Sequence, residues 1–372
     1  MKTRAAVLHE TDADWSVEEI ELDGPGPREV LVKTTAAGMC HSDEHARNGS
    51  MPVPLPIVGG HEGAGVVLEV GEGVAELAVG DHISASFVPS CGRCRWCAEG
   101  DQHLCDLALH LLAPGMMPPA GGFRHHDADG NDLTPMLKLG TFAEHMVVSV
   151  DSAVKVDPDV PAPIAALVSC GVTTGFGSVA NRADVRPGDT VVVVGCGGLG
   201  SAALQAAKLA GASNVVAVDL AESKREAAGK FGATHTAESM DAARETVALA
   251  TGGVMADSVI LTPGVMSGDL LQPAQSLVRK GGTVVVAAVA PLAQMDVKFS
   301  LFELAMLNKQ IRGSMFGSGS PRSEIPHLLS LYLAGQLDLD SFVSNTYTLD
   351  EVNDGYRDLH DGRNIRGVIV FD

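Results

Sequence analysis

Two patterns of hydrophobic and polar positions divide the chain. Up to about residue 156, short β-rich runs alternate with glycine and proline, as in EVLVKTTAAG at 29–38 and GAGVVLEVG at 63–71. GDHISASFV at 80–88 and AEHMVVSV at 143–150 have the same character. Runs of this length between turn residues predict strands. We therefore expect an antiparallel, barrel-like first domain.

From about residue 172, apolar strands alternate with alanine-rich helical stretches. DTVVVVG leads into GLGSAALQAAKLAGA, and NVVAVD leads into SKREAAGKFGA. DSVILTPG at 257–264 and GTVVVAAV at 282–289 are almost continuously apolar, which is typical of parallel strands covered by helices. The alternation predicts a doubly wound α/β domain. A helical stretch at 323–335 and a last strand at 366–371 follow.

The length also favours two domains, because 372 residues exceed the ~250 at which a single core stops growing. We place the first domain at 1–171 and the second at 172–315, and we expect 316–372 to return to the first. The stretch 107–139 has no clear periodicity, so its conformation and role stay open.

Charge and hydropathy restrict the partners. With 26 basic and 46 acidic residues the net charge is −20, which repels phosphate backbones and anionic lipid. We therefore expect neither a nucleic acid nor a membrane partner, and no apolar run reaches the ~18 residues of a membrane span. The N-terminal residues contain no apolar signal segment, so we expect a cytoplasmic protein.

Four of the seven cysteines are concentrated in one short stretch, CGRCRWCAEGDQHLC. They are Cys91, Cys94, Cys97 and Cys105. The spacing C-x2-C-x2-C-x7-C predicts a tetrahedral zinc site in a lobe at 89–107, structural because four thiolates leave no position for a substrate. Disulfides and a nucleic-acid-binding zinc ribbon are the alternatives, which the missing export signal and the acidic charge disfavour.

Other metal-ligating residues are dispersed. Cys40 lies in GMCHSDEH, His61 and Glu62 lie in GGHEGAG, and Cys170 lies in VSCGVTTG. Two thiolates and one imidazole are a known ligand set for a catalytic zinc with one open position. Spacing alone does not bring these residues together.

A glycine-rich turn, VVVVGCGGLG, follows one predicted strand and precedes a helix. Gly195, Gly197 and Gly200 fit the G-x-G-x-x-G pattern that binds a dinucleotide pyrophosphate at a helix N-terminus. Asp219 ends the next strand, where a carboxylate accepts both ribose hydroxyls and repels a 2′-phosphate. The pattern therefore favours NAD over NADP, and we assign Cys196 no metal role.

Taken together, these motifs resemble the zinc-dependent alcohol dehydrogenases of the medium-chain dehydrogenase/reductase superfamily, over nearly the whole chain. GHEGAG, the four-cysteine lobe, CGVTTGFGS at 170–178 and the glycine turn carry the resemblance. The long stretch after Cys105 resembles the branch of liver-type and actinobacterial nicotinoprotein enzymes. The resemblance implies a GroES-like catalytic domain with a structural zinc lobe, a Rossmann domain, two zinc ions per subunit and NAD(H).

The resemblance also implies roles for residues around a catalytic zinc. Its protein ligands would be Cys40, His61 and Cys170. Glu62 would lie close behind the ion, and Asp43 would orient the imidazole ligand. Ser42 and His45 would pass the alcohol proton to solvent, and Thr174 would pack against the nicotinamide.

Further residues would contact the cofactor by the same resemblance. His41 and Arg366 would meet the pyrophosphate, and Lys224 would meet the adenosine ribose. The full set is His41, Thr174, Gly195, Gly197, Gly198, Leu199, Gly200, Asp219, Lys224, Val289, Phe316 and Arg366.

Three functions stay open at this point. The first is reversible hydride transfer from a primary or secondary alcohol to exchanging NAD+, which gives an aldehyde or ketone. The second is a nicotinoprotein that keeps NAD(H) bound and recycles it with an aldehyde or artificial acceptor. The third is a non-catalytic zinc- and dinucleotide-binding sensor. We also expect a homo-oligomer, a dimer or tetramer, with GGTVVVAAVAP at 281–291 as a possible edge strand.

Overall fold

The structure, a computed structural model, describes residues 1–108 and 122–372. These residues form two compact units. The first comprises Met1–Cys170 and Ser320–Asp372, and the second comprises Gly171–Gly319. The sequence predicts the domain boundaries after residues 171 and 315. Residues 109–121, within the stretch 107–139 that the sequence leaves open, lie outside the described part of the chain.

Strands occur in both units. In chain order they are β1 (Lys2–Leu8), β2 (Ser16–Leu22), β3 (Glu29–Gly38), β4 (Ile57–Val58), β5 (Glu62–Val70), β6 (His82–Ser86), β7 (His125–His126), β8 (Asp132–Pro135), β9 (His145–Ser149), β10 (Ala153–Lys155), β11 (Thr190–Val194), β12 (Asn214–Val218), β13 (His235–Ala237), β14 (Ala256–Leu261), β15 (Val278–Val286), β16 (Gln310–Gly313), β17 (Val343–Tyr347) and β18 (Arg366–Val370).

Helices connect and cover these strands. The α-helices are α1 (His41–Arg47), α2 (Arg95–Glu99), α3 (Ala162–Leu167), α4 (Gly171–Gly177), α5 (Gly198–Leu209), α6 (Glu222–Ala228), α7 (Met240–Ala250), α8 (Leu271–Leu277), α9 (Leu301–Met306), α10 (Pro321–Leu333) and α11 (Val352–His360). None of the helices within 1–108 and 122–372 has the length and apolar character that a membrane span requires.

The first unit contains a closed barrel and a larger sheet. The barrel has the strand order β1-β2-β7-β8-β4, and the sheet has the order β10-β6-β5-β3-β18-β17, with β9 also pairing with β3. The expectation of antiparallel pairing up to about residue 156 is wrong for β4 with β8, which are parallel, and β17 and β18 further along the chain are parallel as well. The last strand, β18, pairs with Ala36–Gly38 of β3, so the C-terminus of the chain lies in this unit.

The second unit, which the structure describes completely, is a parallel sheet in the order β13-β12-β11-β14-β15-β16. Its central strands are almost wholly buried and rich in valine, as expected where helices cover a parallel sheet. The order reverses beside β11, which is the switch point where doubly wound folds bind ligands. The prediction of a doubly wound Rossmann domain beside a β-rich domain is confirmed.

One expectation about this sheet is wrong. The segment at 281–291 does not supply an edge strand, because β15 lies between β14 and β16. In residues 171–319 the sheet edges are β13 and β16.

Candidate metal centres and cofactor loop

Three separate segments of the first unit bring the dispersed ligands together. Cys40 lies between β3 and α1, His61 directly precedes β5, and Cys170 follows α3. One donor atom from each of these residues and from Glu62 lies within 4.8 Å of the others. The fold thus brings residues up to about 130 positions apart in the sequence into one four-residue cluster.

His61 is held in one orientation by its neighbour on α1. Its Nδ1 lies 2.9 Å from Oδ1 of Asp43, and both side chains are completely buried. Burial would lower the pKa of His61, but the charge and hydrogen bond of Asp43 raise it well above its usual value. In the described structure Nε2 of His61 is buried without a hydrogen-bond partner. Because Asp43 holds the proton of Nδ1, a metal ion that displaces the second ring proton would bind Nε2.

The two thiols of the cluster interact directly. A hydrogen bond from Cys170 holds the pKa of Cys40 well below its usual range. The same hydrogen bond, together with burial, raises the pKa of Cys170. One thiolate is therefore already favoured beside an unpartnered imidazole nitrogen, so the donor set fits a Zn²⁺ ion chemically.

Glu62 and Arg366 form a buried ion pair behind the cluster. Nη2 of Arg366 donates to Oε2 of Glu62 and to the carbonyl oxygen of Met39, which precedes Cys40. Burial raises the pKa of Glu62 to about 7, although the charge of Arg366 opposes this shift. The sequence did not indicate this ion pair of Arg366 with Glu62. Contact of the Arg366 guanidinium with the pyrophosphate stays a prediction.

The residues expected to relay a proton lie on α1, directly after Cys40. Ser42 lies close to the cluster, with its Oγ 3.7 Å from Sγ of Cys40. His45 is buried one turn further along the helix, and His41 is half-buried at the helix start. The structure thus places Ser42, Asp43 and His45 on one short helix beside the cluster.

The four-cysteine lobe forms a second cluster around α2. Its four sulfur atoms all lie within 4.8 Å of one another, with Cys91 and Cys97 4.0 Å apart and Cys94 and Cys105 3.9 Å apart. A tetrahedral site with Zn–S bonds of about 2.3 Å requires sulfur atoms about 3.8 Å apart. All seven cysteines lie in the described part of the chain and none forms a disulfide.

Backbone amides help the lobe to hold negative charge. The amide of Cys91 donates to Sγ of Cys105, and the amide of Cys94 donates to Sγ of Cys91. Backbone hydrogen bonds from Asp106 and Cys97 lower the pKa of Cys94 to about 6, whereas burial raises that of Cys105 to about 12. The arrangement fits a closed, structural Zn²⁺ site, because four thiolates complete a tetrahedral shell.

The glycine turn of the second unit lies at the switch point of the sheet. Gly195 directly follows β11 with a φ of +94°, and Gly197 is the N-cap of α5. A side chain on Gly200 would collide with the carbonyl oxygen of Gly195, so only glycine allows helix and strand to approach this closely. Gly198 and Leu199 form the first turn of α5, whose backbone amides face the turn.

Asp219 follows β12 beside this turn. Its Oδ2 accepts the amide of Cys196 at 2.7 Å, and its Oδ1 accepts the amide of Ala221 at 2.9 Å. Each oxygen retains lone-pair capacity for a ribose hydroxyl. Arg225, which sequence reasoning missed, donates from Nη1 to the carbonyl oxygens of Asp219 and Leu220. Its guanidinium is thereby engaged by the backbone at this end of the sheet.

The other expected cofactor residues have varied environments within the second unit. Thr174 is buried on α4, and its carbonyl oxygen accepts the hydroxyl of Ser178. Phe316 is buried with a φ of +52°, whereas Val289 is exposed and its carbonyl oxygen accepts the amide of Met266. Lys224 lies on α6 and is half-buried.

Comparisons with known proteins agree with this site. Residues 26–158 match the family model of the alcohol dehydrogenase GroES-like domain, and residues 198–334 match that of the zinc-binding dehydrogenase. The chain is 49% identical over 372 residues to alcohol dehydrogenase B of Mycobacterium tuberculosis (strain ATCC 25618 / H37Rv), covering 100% of this chain and 99% of that protein.

Two further similarities extend over the full length. The chain is 48% identical over 370 residues to the NDMA-dependent alcohol dehydrogenase of Amycolatopsis methanolica, covering 100% of this chain and 99% of that protein. The crystal structure of benzyl alcohol dehydrogenase from Acinetobacter calcoaceticus superimposes with a TM-score of 0.88 at 32% identity, with 100% of both chains covered.

A doubly wound dinucleotide fold and a thiolate–imidazole cluster are together typical of metal-dependent dehydrogenases. The chain belongs to the zinc-binding alcohol dehydrogenases of the medium-chain dehydrogenase/reductase superfamily. It is an oxidoreductase with a small-molecule alcohol substrate, so the alternative of a non-catalytic sensor is wrong.

Proposed function

We propose that this chain catalyses reversible oxidation of a primary or secondary alcohol by NAD+, with a catalytic zinc held by Cys40, His61 and Cys170. The observation that carries the proposal is the convergence of two thiols on the unpartnered Nε2 of His61. When bound there, zinc supplies Lewis acidity that lowers the pKa of an alcohol, and NAD+ supplies the hydride acceptor. Glu62 is the fourth donor in reach, and its ion pair with Arg366 keeps it behind the three ligands.

The proton of the alcohol leaves through residues of α1. Ser42 is small and lies beside Cys40, so its hydroxyl accepts a proton from an alcohol at the cluster and donates its own onward. His45, on the same helix, takes up that proton and passes it to solvent. Asp43 holds His61 in the tautomer that leaves Nε2 free.

Several contacts support NAD(H) rather than NADP(H) as the cofactor. The carboxylate of Asp219 lies beside the glycine turn, where it binds two ribose hydroxyls and repels a 2′-phosphate. Arg225 follows Asp219 by six residues, and its Nη1 already donates to two backbone carbonyl oxygens. We assign the pyrophosphate to the first turn of α5.

A nicotinoprotein is the second candidate. It would keep NAD(H) bound through turnover and reoxidise it with an aldehyde or an artificial acceptor. The full-length similarity to a relative named NDMA-dependent alcohol dehydrogenase is the observation that favours it.

One experiment separates the two candidates. Purified protein is denatured and its supernatant is assayed for NAD(H), while native protein is assayed for alcohol oxidation with and without added NAD+. Little released NAD(H) and an absolute requirement for added NAD+ support free exchange. About one NAD(H) per chain and turnover with an acceptor alone support the nicotinoprotein. If the native protein oxidises no alcohol, either with added NAD+ or with an acceptor, the proposed function is contradicted.

We also propose a homo-oligomer formed through the second unit. Large apolar side chains are exposed in a stretch that the structure describes fully, from Val289 to Met306. Leu301 and Phe302 of α9 are 70% and 69% exposed. Apolar patches of this kind are typical of subunit interfaces.

A cytoplasmic location is proposed as well. Seven unpaired cysteines, six of them in metal-binding arrangements, fit a reducing compartment.

A further inference from the structure

Helix α11, in the C-terminal part of the first unit, packs beside the ligands of the proposed catalytic zinc. A side chain on Gly355 would collide with the sulfur of Met39, so the absence of one lets the helix touch the residue before Cys40. Asn353 fixes the same helix to the backbone of Trp15 by two hydrogen bonds of 2.9 Å, one donated and one accepted. The helix therefore has a defined position relative to the start of α1.

Tyr356 is the next residue of α11 and lies wholly in the interior. Its ring stacks on Trp15 with the centroids 6.2 Å apart and lies 6.3 Å from the ring of Phe142. Only 3% of the residue is exposed. The aromatic contacts explain why a large ring is present, but they do not explain the hydroxyl, because burial of an unbonded hydroxyl is costly.

The hydroxyl faces a carboxylate with a free oxygen. Oδ1 of Asp43 accepts Nδ1 of His61 and the amide of Gly60, whereas neither Oδ2 of Asp43 nor the hydroxyl of Tyr356 has a partner of normal hydrogen-bond geometry in the described residues. The two groups border the same ring, because Phe142 packs on Tyr356 and also lies against Gly60, whose amide donates to Asp43. In agreement with this placement, burial and then the charge of Asp43 raise the pKa of Tyr356. The hydroxyl of Tyr356, a buried donor, and Oδ2 of Asp43, a buried acceptor, can therefore satisfy each other.

We propose that Tyr356 is a positioning residue whose hydroxyl donates to Oδ2 of Asp43 and thereby fixes the carboxylate that orients His61 toward the catalytic zinc. The inference rests on the proposed zinc site. It connects Tyr356 of α11, through Asp43 of α1, to the zinc ligand His61. With both oxygens bonded, the carboxylate cannot rotate away from Nδ1 of His61. Partners of ligating histidines contribute about 10- to 100-fold to metal affinity, and Tyr356 acts one step further out.

The test compares Tyr356→Phe with a matched control, Tyr347→Phe. The first variant removes only the hydroxyl and keeps the ring that packs on Trp15. The second removes a tyrosine hydroxyl of the same unit that donates to Asp358 and accepts from Asn364, neither of which belongs to the cluster. Zinc release to a chromogenic chelator is followed in the holoenzyme, and the spectrum of the cobalt-substituted enzyme is recorded.

We expect one of the two zinc ions to leave about 10-fold faster in Tyr356→Phe, while Tyr347→Phe releases zinc like the wild type. The cobalt spectrum should change in Tyr356→Phe alone, which a loss of packing or stability would not produce. Wild-type release rates and an unchanged cobalt spectrum in Tyr356→Phe would overturn the inference. If the wild type itself holds no zinc that depends on Cys40, it is the proposed function that fails.

A second measurement needs no variant at position 356. The chain has three tyrosines, so incorporation of 3-fluorotyrosine gives three ¹⁹F resonances. Tyr332→Phe and Tyr347→Phe assign two of them, and the third belongs to Tyr356. We expect that third resonance to shift when the catalytic zinc is removed, and an unmoved resonance would contradict the proposed contact.

Discussion

At the level of single residues, the proposed chemistry depends on how each donor atom near Cys40 is already bonded. Asp43 uses one oxygen to hold Nδ1 of His61, so the other ring nitrogen remains for a metal. A hydrogen bond from Cys170 lowers the pKa of Cys40, which favours its thiolate form as a metal ligand. The ligands are thus arranged before the ion binds, which lowers the entropy lost on binding.

Replacement of His45 tests the proton relay. We expect His45→Gln to lower kcat by about 100-fold near pH 6 and much less near pH 9, because hydroxide can remove the proton only at high pH. The measurement is the pH dependence of kcat at saturating substrate. Added imidazole should partly restore the rate at low pH. A variant with the pH–rate profile of the wild type would refute the relay.

Single residues were predictable to different degrees. Cys40, His61 and Cys170 stand in recognisable motifs, and the structure brings their donor atoms together. The pairing of Glu62 with Arg366 joins residues about 300 positions apart and leaves no local pattern. The hydroxyl of Tyr356 likewise has no signal in sequence, because a helix position beside Asp43 is set only by tertiary packing.

At the level of elements, β7 contains an unusual buried histidine. His125 is 1% exposed, and in the described residues neither ring nitrogen has a hydrogen-bond partner. Burial, with a smaller effect of His126, lowers the pKa of His125 to about 4 from an ordinary 6.5. The folded barrel therefore excludes a proton that the unfolded chain binds below about pH 6.5.

This histidine predicts acid sensitivity of the barrel. Because its pKa is depressed in the folded state, His125 costs stability as pH falls through 6.5, by about 1.4 kcal/mol at pH 5.5 and up to about 3 kcal/mol below pH 4. We expect the Tm of His125→Met to fall less than the Tm of the wild type when the pH is lowered from 7.5 to 5.5. His126→Gln, the neighbouring and more exposed histidine, is the control. Equal loss of Tm in His125→Met and the wild type would contradict the assignment.

The lobe around α2 makes a separate prediction. Cys105→Ser should remove one zinc per chain and lower Tm by roughly 10 °C, because a structural zinc contributes directly to folding. Cys196→Ser, which changes a buried cysteine outside both clusters, should retain both ions. Metal content and thermal unfolding of the two variants provide the measurement. A Cys105→Ser protein with two zinc ions would show that the lobe binds none.

Elements differed in how far the sequence predicted them. Long strands such as β3 and β11 were predicted within one or two residues, because their apolar runs are bounded by turn residues. Helix α1 was missed because its seven residues, HSDEHAR, lack a long apolar face. The strands β7 and β8 were not predicted, because two to four residues are too few to show the alternation of a β-strand. Their positions depend on the barrel that they close.

At the scale of the whole molecule, exposed apolar residues are concentrated in part of the second unit. Besides α9, Met295 is 85% exposed in the preceding segment. The interface is thus expected on α9 and this segment, since β15, the strand first considered, lies inside the sheet.

Substitution on α9 tests the proposed assembly. Leu301→Glu places a charge in the apolar patch, so we expect the oligomer to dissociate in sedimentation velocity at micromolar concentration. Leu249→Glu, at an 85% exposed position of α7 in the same unit, should leave the assembly intact. A monomeric wild type, or a Leu301→Glu variant of unchanged size, would contradict the interface.

The central claim is that Cys40, His61 and Cys170 jointly hold a zinc ion required for turnover. Elemental analysis combined with thiol alkylation of folded, active protein tests it most directly. We expect two zinc ions per chain, with Cys40 and Cys170 protected from alkylation until a chelator removes metal and activity together. No more than one zinc per chain, with both cysteines alkylated and turnover undiminished, would contradict the account.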